Sequence, residues 1–288
     1  MAQDNNSLGN PLQKYFRQPK IYIRLPSQDK FWKPGSLEQT ENGEYPVYAM
    51  TAKDELGFKT PDSLINGQST VDVVQSCIPN IKDAWQMPSI DLDAILIAIR
   101  IASYGEMMDI ETTVPKIDEK RNFQVDLRKL LDQLQSVEFN EALEIDDLVI
   151  FLRPLNYSEF TKTALKTFEE QRLFSVLNNA GSMSETEKLA KFNESFVKLT
   201  ELNVTAVRDS ISAIKAGDDV VSQQSHIDEF IRNADSKFFN AILDHIETEK
   251  NKFAIQPLTV TTDLEEQQQG APETYQVPIV FDQSNFFA

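Results

Sequence analysis

Residues 87–105, MPSIDLDAILIAIRIASYG, constrain the fold of this chain more than any other stretch. Ile90, Leu92, Ala94, Ile95, Leu96, Ile97, Ala98, Ile99, Ile101 and Ala102 are interrupted only by Asp91, Asp93, Arg100 and Ser103. A helix formed here is apolar almost all round and has to be buried. Pro88 and Ser89 mark its start and Gly105 its C-terminal stop. At about 1.5 Å per residue the segment from Asp91 to Ser103 measures about 20 Å, too short and too charged to cross a bilayer. It is expected to be a core helix. Burying about eight aliphatic side chains at roughly 1.5–3 kcal/mol each makes it the largest single apolar contribution in the sequence.

The chain of 288 residues has room for one large domain or two ordinary ones. Its composition, 41% hydrophobic and 25% charged, is that of a folded protein and not of a disordered one. The net charge of −17 repels nucleic-acid backbones and anionic membranes alike, so the expected partners are proteins. The stretch MAQDNNSLG lacks the basic and apolar regions of a secretory signal, and the single cysteine, Cys77, has no intrachain partner. Both point to a reducing cytoplasm. Beside Ile78, Cys77 reads as a core thiol.

Around the central segment the patterning is mixed. Ile21, Tyr22 and Ile23 lie in one predicted strand and Tyr45 to Met50 form another. The loop between them carries Phe31 and Trp32, which either make an exposed partner-binding tip or cover one side of the hairpin. Thr60-Pro61 predicts a short helix to Asn66, and Ser69 is expected to cap a second one bearing Val71, Val73 and Val74. EMMDIETTV and NFQVDL read as two strands joined across Pro115 to Arg121, and Asp126 as the cap of a helix with Leu127, Leu130, Leu131 and Leu134 on one face. Five carboxylates between Glu138 and Asp147 suggest a solvated edge, and Leu148 to Leu152 a short buried strand.

The second half reads as helical. Tyr157 to Asn178 places Phe160, Ala164 and Phe168 at steps of four. Ser184 and Glu187 form a capping box for a long amphipathic helix expected to run to Ala216, with Gly217 as its stop and Leu189, Phe192, Phe196, Leu199, Val207, Ile211 and Ile214 as its stripe. Its mixed spacing points to a helical hairpin or small bundle instead of an extended coiled coil. Further helices are expected from Ser225 and from Asp235 to Lys252. After Pro257, two strand-like segments flank an acidic, turn-rich middle, giving either a hairpin that returns to the body or a mobile tail. The expectation is therefore an α+β fold: an α+β domain over 1–153, a helical domain over 154–255, and a C-terminal β-hairpin-like segment over 256–288 that docks back on the body.

No chemistry announces itself. Nine scattered glycines make no phosphate loop and no nucleophile elbow. Two histidines and one cysteine make no metal motif, so no cofactor is expected. The carboxylates leave only a loose case for a hydrolase.

The segments NPLQKYFRQPKIYIRLPSQDKFW, NGEYPVYAMTAKDE, KTPDSLINGQSTVDVVQSCIPNIKDAW, MPSIDLDAILIAIRIASYG and VDLRKLL, in this order, resemble the baseplate protein family of T-even-type contractile-tail phages. The likeness is dense through the first 131 residues, fainter across the helical half, and returns at FDQSNFFA. It implies a non-enzymatic protein needed to build the central hub of the baseplate. Its implied partners are hub and tape-measure proteins, met in the host cell cytoplasm during tail assembly or in the virion baseplate. Two roles fit, an assembly factor or chaperone and a permanent structural subunit. Members of that family often carry a CPxC knuckle where this chain has Val114-Pro115-Lys116-Ile117, and a second cysteine pair where it has Thr261-Thr262 and an acidic turn. Both look like zinc ribbons without ligands, so no metal is carried over, and hairpin packing would have to replace the ion. The candidate partner-contact residues are Phe31, Trp32, Phe192, Phe196, Leu199, Phe286 and Phe287. Phe192, Phe196 and Leu199 either line a groove for an apolar partner helix or pack on neighbouring helices.

Overall fold

The computed structural model describes residues 11–58, 67–179 and 184–279. It is an α+β fold, as the patterning predicts, with small separate antiparallel sheets. The elements in chain order are β1 (Pro19–Ile23), β2 (Tyr45–Tyr48), α1 (Ala52–Phe58), α2 (Gln68–Cys77), α3 (Leu92–Tyr104), β3 (Met107–Val114), β4 (Glu119–Asp126), α4 (Leu127–Gln135), β5 (Ala142–Ile145) and β6 (Leu148–Leu152). They continue with α5 (Tyr157–Asn179), α6 (Glu185–Asp209), β7 (Ile211–Ala216), β8 (Asp219–Val221), α7 (Gln224–Asn233), α8 (Ser236–Lys252), β9 (Leu258–Thr261), α9 (Leu264–Gln268) and β10 (Thr274–Val277).

The apolar segment is the buried helix α3. Ala94, Ile95, Ile97, Ala98 and Ile99 are fully enclosed. Around them pack Ile23, Tyr45 and Val47 of the β1–β2 hairpin, Val71, Val74 and Cys77 of α2, and Leu127, Leu131 and Leu134 of α4. One helical turn at Ser89–Asp91 leads into α3, and Gly105 ends it with φ 96°, a conformation that favours glycine. Asp91 occupies the N-cap position of α3 yet makes no cap hydrogen bond. Its buried carboxylate turns instead to the loop after β1. It accepts from Ser27 N at 2.7 Å, Ser27 Oγ at 2.6 Å and Trp32 Nε1 at 3.1 Å.

A second core lies on the four-stranded sheet β5–β6–β7–β8, which takes two strands from before α5 and two from after α6. Ile150, Leu152, Ile211 and Ile214 meet Val207 of α6, Ile227 and Ile231 of α7 and Ile242 of α8. Here one expectation is overturned. The long helix ends at Asp209, and Ile211 and Ile214 belong to a strand, with Gly217 (φ 62°) in the tight turn to β8. The register of β6 against β7 shifts between Phe151 and Leu152, so residues three apart in β7 both face the core. That irregularity imitates a helical spacing. β5 and β8 are the edge strands, and the acidic flank of β5 discourages further pairing there.

Two smaller expectations are also corrected. Gly67, not Ser69, is the N-cap of α2, and Ser69 lies inside the helix with its hydroxyl donating to Gly57 O at 3.0 Å. The acidic middle of the C-terminal segment holds the short helix α9, set by a capping box between Asp263 and Glu266. The helix expected between Thr60 and Asn66 lies outside the described residues. The third core joins two hairpins, β3–β4 and β9–β10, through Val114, Ala271, Tyr275 and Val277.

Candidate functional site

The α5–α6 pair leaves the sheet at Arg153 and returns at Ser210, where Arg153 N–H donates to Ser210 O at 2.8 Å. At its start α5 is tied to the entrance of α3. Ser89 N–H donates to Leu155 O and Tyr157 N–H to Met87 O, both at 2.8 Å. Asn156 and Glu159 cap the helix reciprocally, Glu159 N–H reaching Asn156 Oδ1 at 2.9 Å and Asn156 N–H reaching Glu159 Oε2 at 3.0 Å. Arg153 grips the same carboxylate with both terminal guanidinium nitrogens, at 2.9 and 3.0 Å. Burial pushes the Glu159 pKa up, but the bonds from Arg153 and Asn156 outweigh it and hold the group below its usual range.

Between this base and α8 lies an open groove of about 610 Å³. Its walls are Phe160, Ala164 and Phe168 of α5, Ala206 and Val207 of α6, and Leu243 and Ile246 of α8, with Ile90, Leu92, Phe139, Leu155 and Phe253 around the base. Phe168 is 60% exposed and Leu243 38%. The step-of-four stripe of α5 thus faces an uncovered space. Three ionisable side chains line it: Asp93, Arg153 and Lys250. Arg153 is engaged by Glu159, and burial raises the pKa of Asp93 above the ordinary carboxylate value. No histidine or cysteine lines the groove. What it offers is apolar contact area with a single carboxylate at its edge, which suits binding.

The expected contact residues are scattered. Trp32 packs against the main core and its indole is bound to Asp91, while Phe31 (φ 67°) meets Phe139 edge to face at 5.5 Å. On α6, Phe196 is 67% exposed, and Phe192 and Leu199 are half-buried. None of these three lines the groove, whose α6 residues are Asn203, Ala206 and Val207. Phe286 and Phe287 lie outside the described residues. The groove itself had one visible signal, the Phe160, Ala164 and Phe168 spacing. Its other walls come from segments distant in sequence.

The two segments around Val114–Ile117 and Thr261-Thr262 do come together, at the third core, where the contacts are apolar packing, hydrogen bonds and ion pairs. Val114 is fully buried and Ile117 packs beside Tyr275 and Val277. Thr262 Oγ1 donates to Pro272 O at 2.5 Å, and Arg121 joins Glu266 at 2.7 Å and Asp263 at 3.2 Å across the two hairpins. Among the described residues no group of three or more His, Cys, Asp or Glu could hold a metal. Nor is any described helix long and apolar enough to cross a membrane.

No curated protein and no solved structure matches the chain. A family model does: it covers residues 19–268, from β1 through α9 and so through the central helix, the sheet and every wall of the groove, and by that match the chain belongs to the T4 bacteriophage base plate protein family.

Proposed function

We propose that the chain is a non-catalytic assembly factor for the central hub of a phage baseplate, acting with hub and tape-measure proteins during tail assembly in the host cytoplasm. The observation that carries this reading is the uncovered apolar groove beside α5 in a protein of a baseplate family. A monomeric soluble protein keeps a broad apolar surface open chiefly where another molecule will cover it. The net charge of −17 supports protein partners over DNA or membrane. The groove lining lacks the convergent acid, base and nucleophile that catalysis needs.

The second reading is a permanent structural subunit, favoured by the family's description as a base plate protein. A proteomic inventory of intact particles beside infected-cell lysate separates the two. An assembly factor co-purifies with tail proteins from lysate and is missing from particles. Several copies per particle would replace that role with the structural one.

A further inference from the structure

Given the hub-assembly reading, on which this inference rests, the walls of the groove bear on what it receives. Phe160, Ala164 and Phe168 form a ridge about 12 Å long on α5, and Val207 and Ile246 line the same space. A ridge of residues four apart, open along its length, is the surface into which the side chains of another helix interdigitate. At the end of the groove nearest α3, Asp93 has no hydrogen-bond or ion-pair partner among the described residues. Of the two cations that line the groove, Arg153 is already engaged by Glu159, and neither it nor Lys250 of α8 pairs with Asp93, whose pKa is moved by burial alone.

We infer that the groove takes one amphipathic α-helix of a partner protein, its apolar ridge seated between α5 and α8 and one lysine or arginine placed against Asp93. Charge complementarity selects this occupant. A second copy of the chain would bring another −17 to a surface already repelling it. The chain's own residues 280–288, VFDQSNFFA, contain an aspartate and no cation, so they cannot neutralise Asp93. A helix bearing a cation covers the apolar walls and compensates the half-buried carboxylate together.

The test uses fluorescence anisotropy with two synthetic amphipathic peptides that share a leucine ridge and differ at one flanking position, lysine in one and glutamine in the other. The full-length protein should bind the lysine peptide roughly tenfold more tightly than the glutamine peptide. Asp93→Asn should erase that preference, so that the two peptides bind alike. Ala164→Trp, at an exposed helix position, should abolish binding of both. Should that variant unfold, the lysine-against-glutamine comparison on wild type and Asp93→Asn decides alone. A preference that survives Asp93→Asn, or unchanged binding to folded Ala164→Trp, overturns the inference. So does a wild-type dimer that Ala164→Trp dissolves, which assigns the groove to a second copy. A gain in peptide affinity on removing 280–288 overturns it in favour of the chain's own segment. Failure here is distinct from failure of the broader reading. If wild type draws no tail protein from infected-cell lysate, the hub-assembly role falls; if wild type and Ala164→Trp draw them equally, only the groove assignment falls.

Discussion

Replacing Asp91 should loosen the contact between the central helix and the loop after β1. Asp91 is fully buried and holds three donors, Ser27 N, Ser27 Oγ and Trp32 Nε1. In the same loop Gln28, Asp29 and Phe31 all have positive φ, at 54°, 63° and 67°, which side chains with a Cβ adopt at a cost of about 1 kcal/mol or more each. Asp91→Ala removes the anchor that offsets this strain and leaves the donors unsatisfied, at about 1–3 kcal/mol each before the loop shifts and rehydrates them. With that relief the expected loss is roughly 3–5 kcal/mol. The sign with pH is also fixed. Burial raises the Asp91 pKa from 3.8 to about 7, against the lowering effect of Ser27 and Trp32. Between those values the folded state keeps a proton that the unfolded state has lost, so this group's contribution falls as pH rises from about 4 to about 7 and is flat above. At about 1.4 kcal/mol per unit the change is on the order of 4 kcal/mol. Urea unfolding followed by far-UV circular dichroism at pH 5 and pH 8 measures both effects. The penalty of Asp91→Ala should be larger at pH 5 than at pH 8, and Asp91→Asn should flatten the difference. A penalty below about 1 kcal/mol at pH 5, or one that grows toward pH 8, refutes the reasoning.

Three further substitutions or probes follow from the same geometry. Cys77 is fully enclosed and burial pushes its thiol up to about 12, so Ellman's reagent should label it only as the protein unfolds, and prompt labelling of the native chain would contradict its place in the core. Gly67 has φ 80°, and a Cβ there would meet Tyr157 Oη at 3.1 Å and Thr161 Cγ2 at 3.2 Å. Gly67→Ala should therefore lower the thermal midpoint, by an amount corresponding to about 1–2 kcal/mol, while a Gly57→Ala control with open space around it should not lower it comparably. Glu159 is held below its usual pKa range, so its stabilisation is present above about pH 4.5 and lost as pH falls through its lowered folded pKa. Glu159→Gln should cost about 1–2 kcal/mol at pH 7 and much less at pH 3, and an equal cost at both would assign its role to shape instead of charge.

What the sequence made legible was local and strongly periodic. The buried helix announced itself because nearly every side chain from Ile90 to Ala102 is apolar, and the Asp126 and Ser184 caps because each residue's side chain satisfies nearby N–H groups without tertiary help. The strand β7 was misread as helix because its buried residues are three apart, a spacing that depends on an extra residue in β7 where it pairs with a strand more than fifty residues away. The Gly217-Asp218 pair that follows was the turn signal that opposed it. Trp32 shows the same limit at the level of one side chain. Its neighbours in sequence fit an exposed tip, and only the fold brings it to Asp91. The groove was half legible: the α5 stripe is a sequence feature, but whether such a stripe is covered depends on the angle between elements.

That angle is set by where the helical pair is anchored. β6 and β7 are neighbouring antiparallel strands that a short turn could have joined, since the sheet's own core draws chiefly on β5–β8, α7, α8 and the last turns of α6. The chain instead inserts α5 and α6 between them and closes the base with the Arg153–Ser210 hydrogen bond. Lengthening a connection adds little closure entropy, so such an insertion is tolerated without being needed by the sheet. Its first turn is then fastened to the rigid entrance of α3 through Leu155 and Tyr157, and to Arg153 through Glu159. The base of the groove is therefore fixed by the most buried element of the protein, while Phe168 and Leu243 on its walls belong to none of the three cores. Contacts made at Asp93, Phe160 and Phe253 are pre-organised, which limits the ordering cost of binding. Those made at Phe168 and Leu243 occur on exposed positions that add covered apolar area as a partner seats.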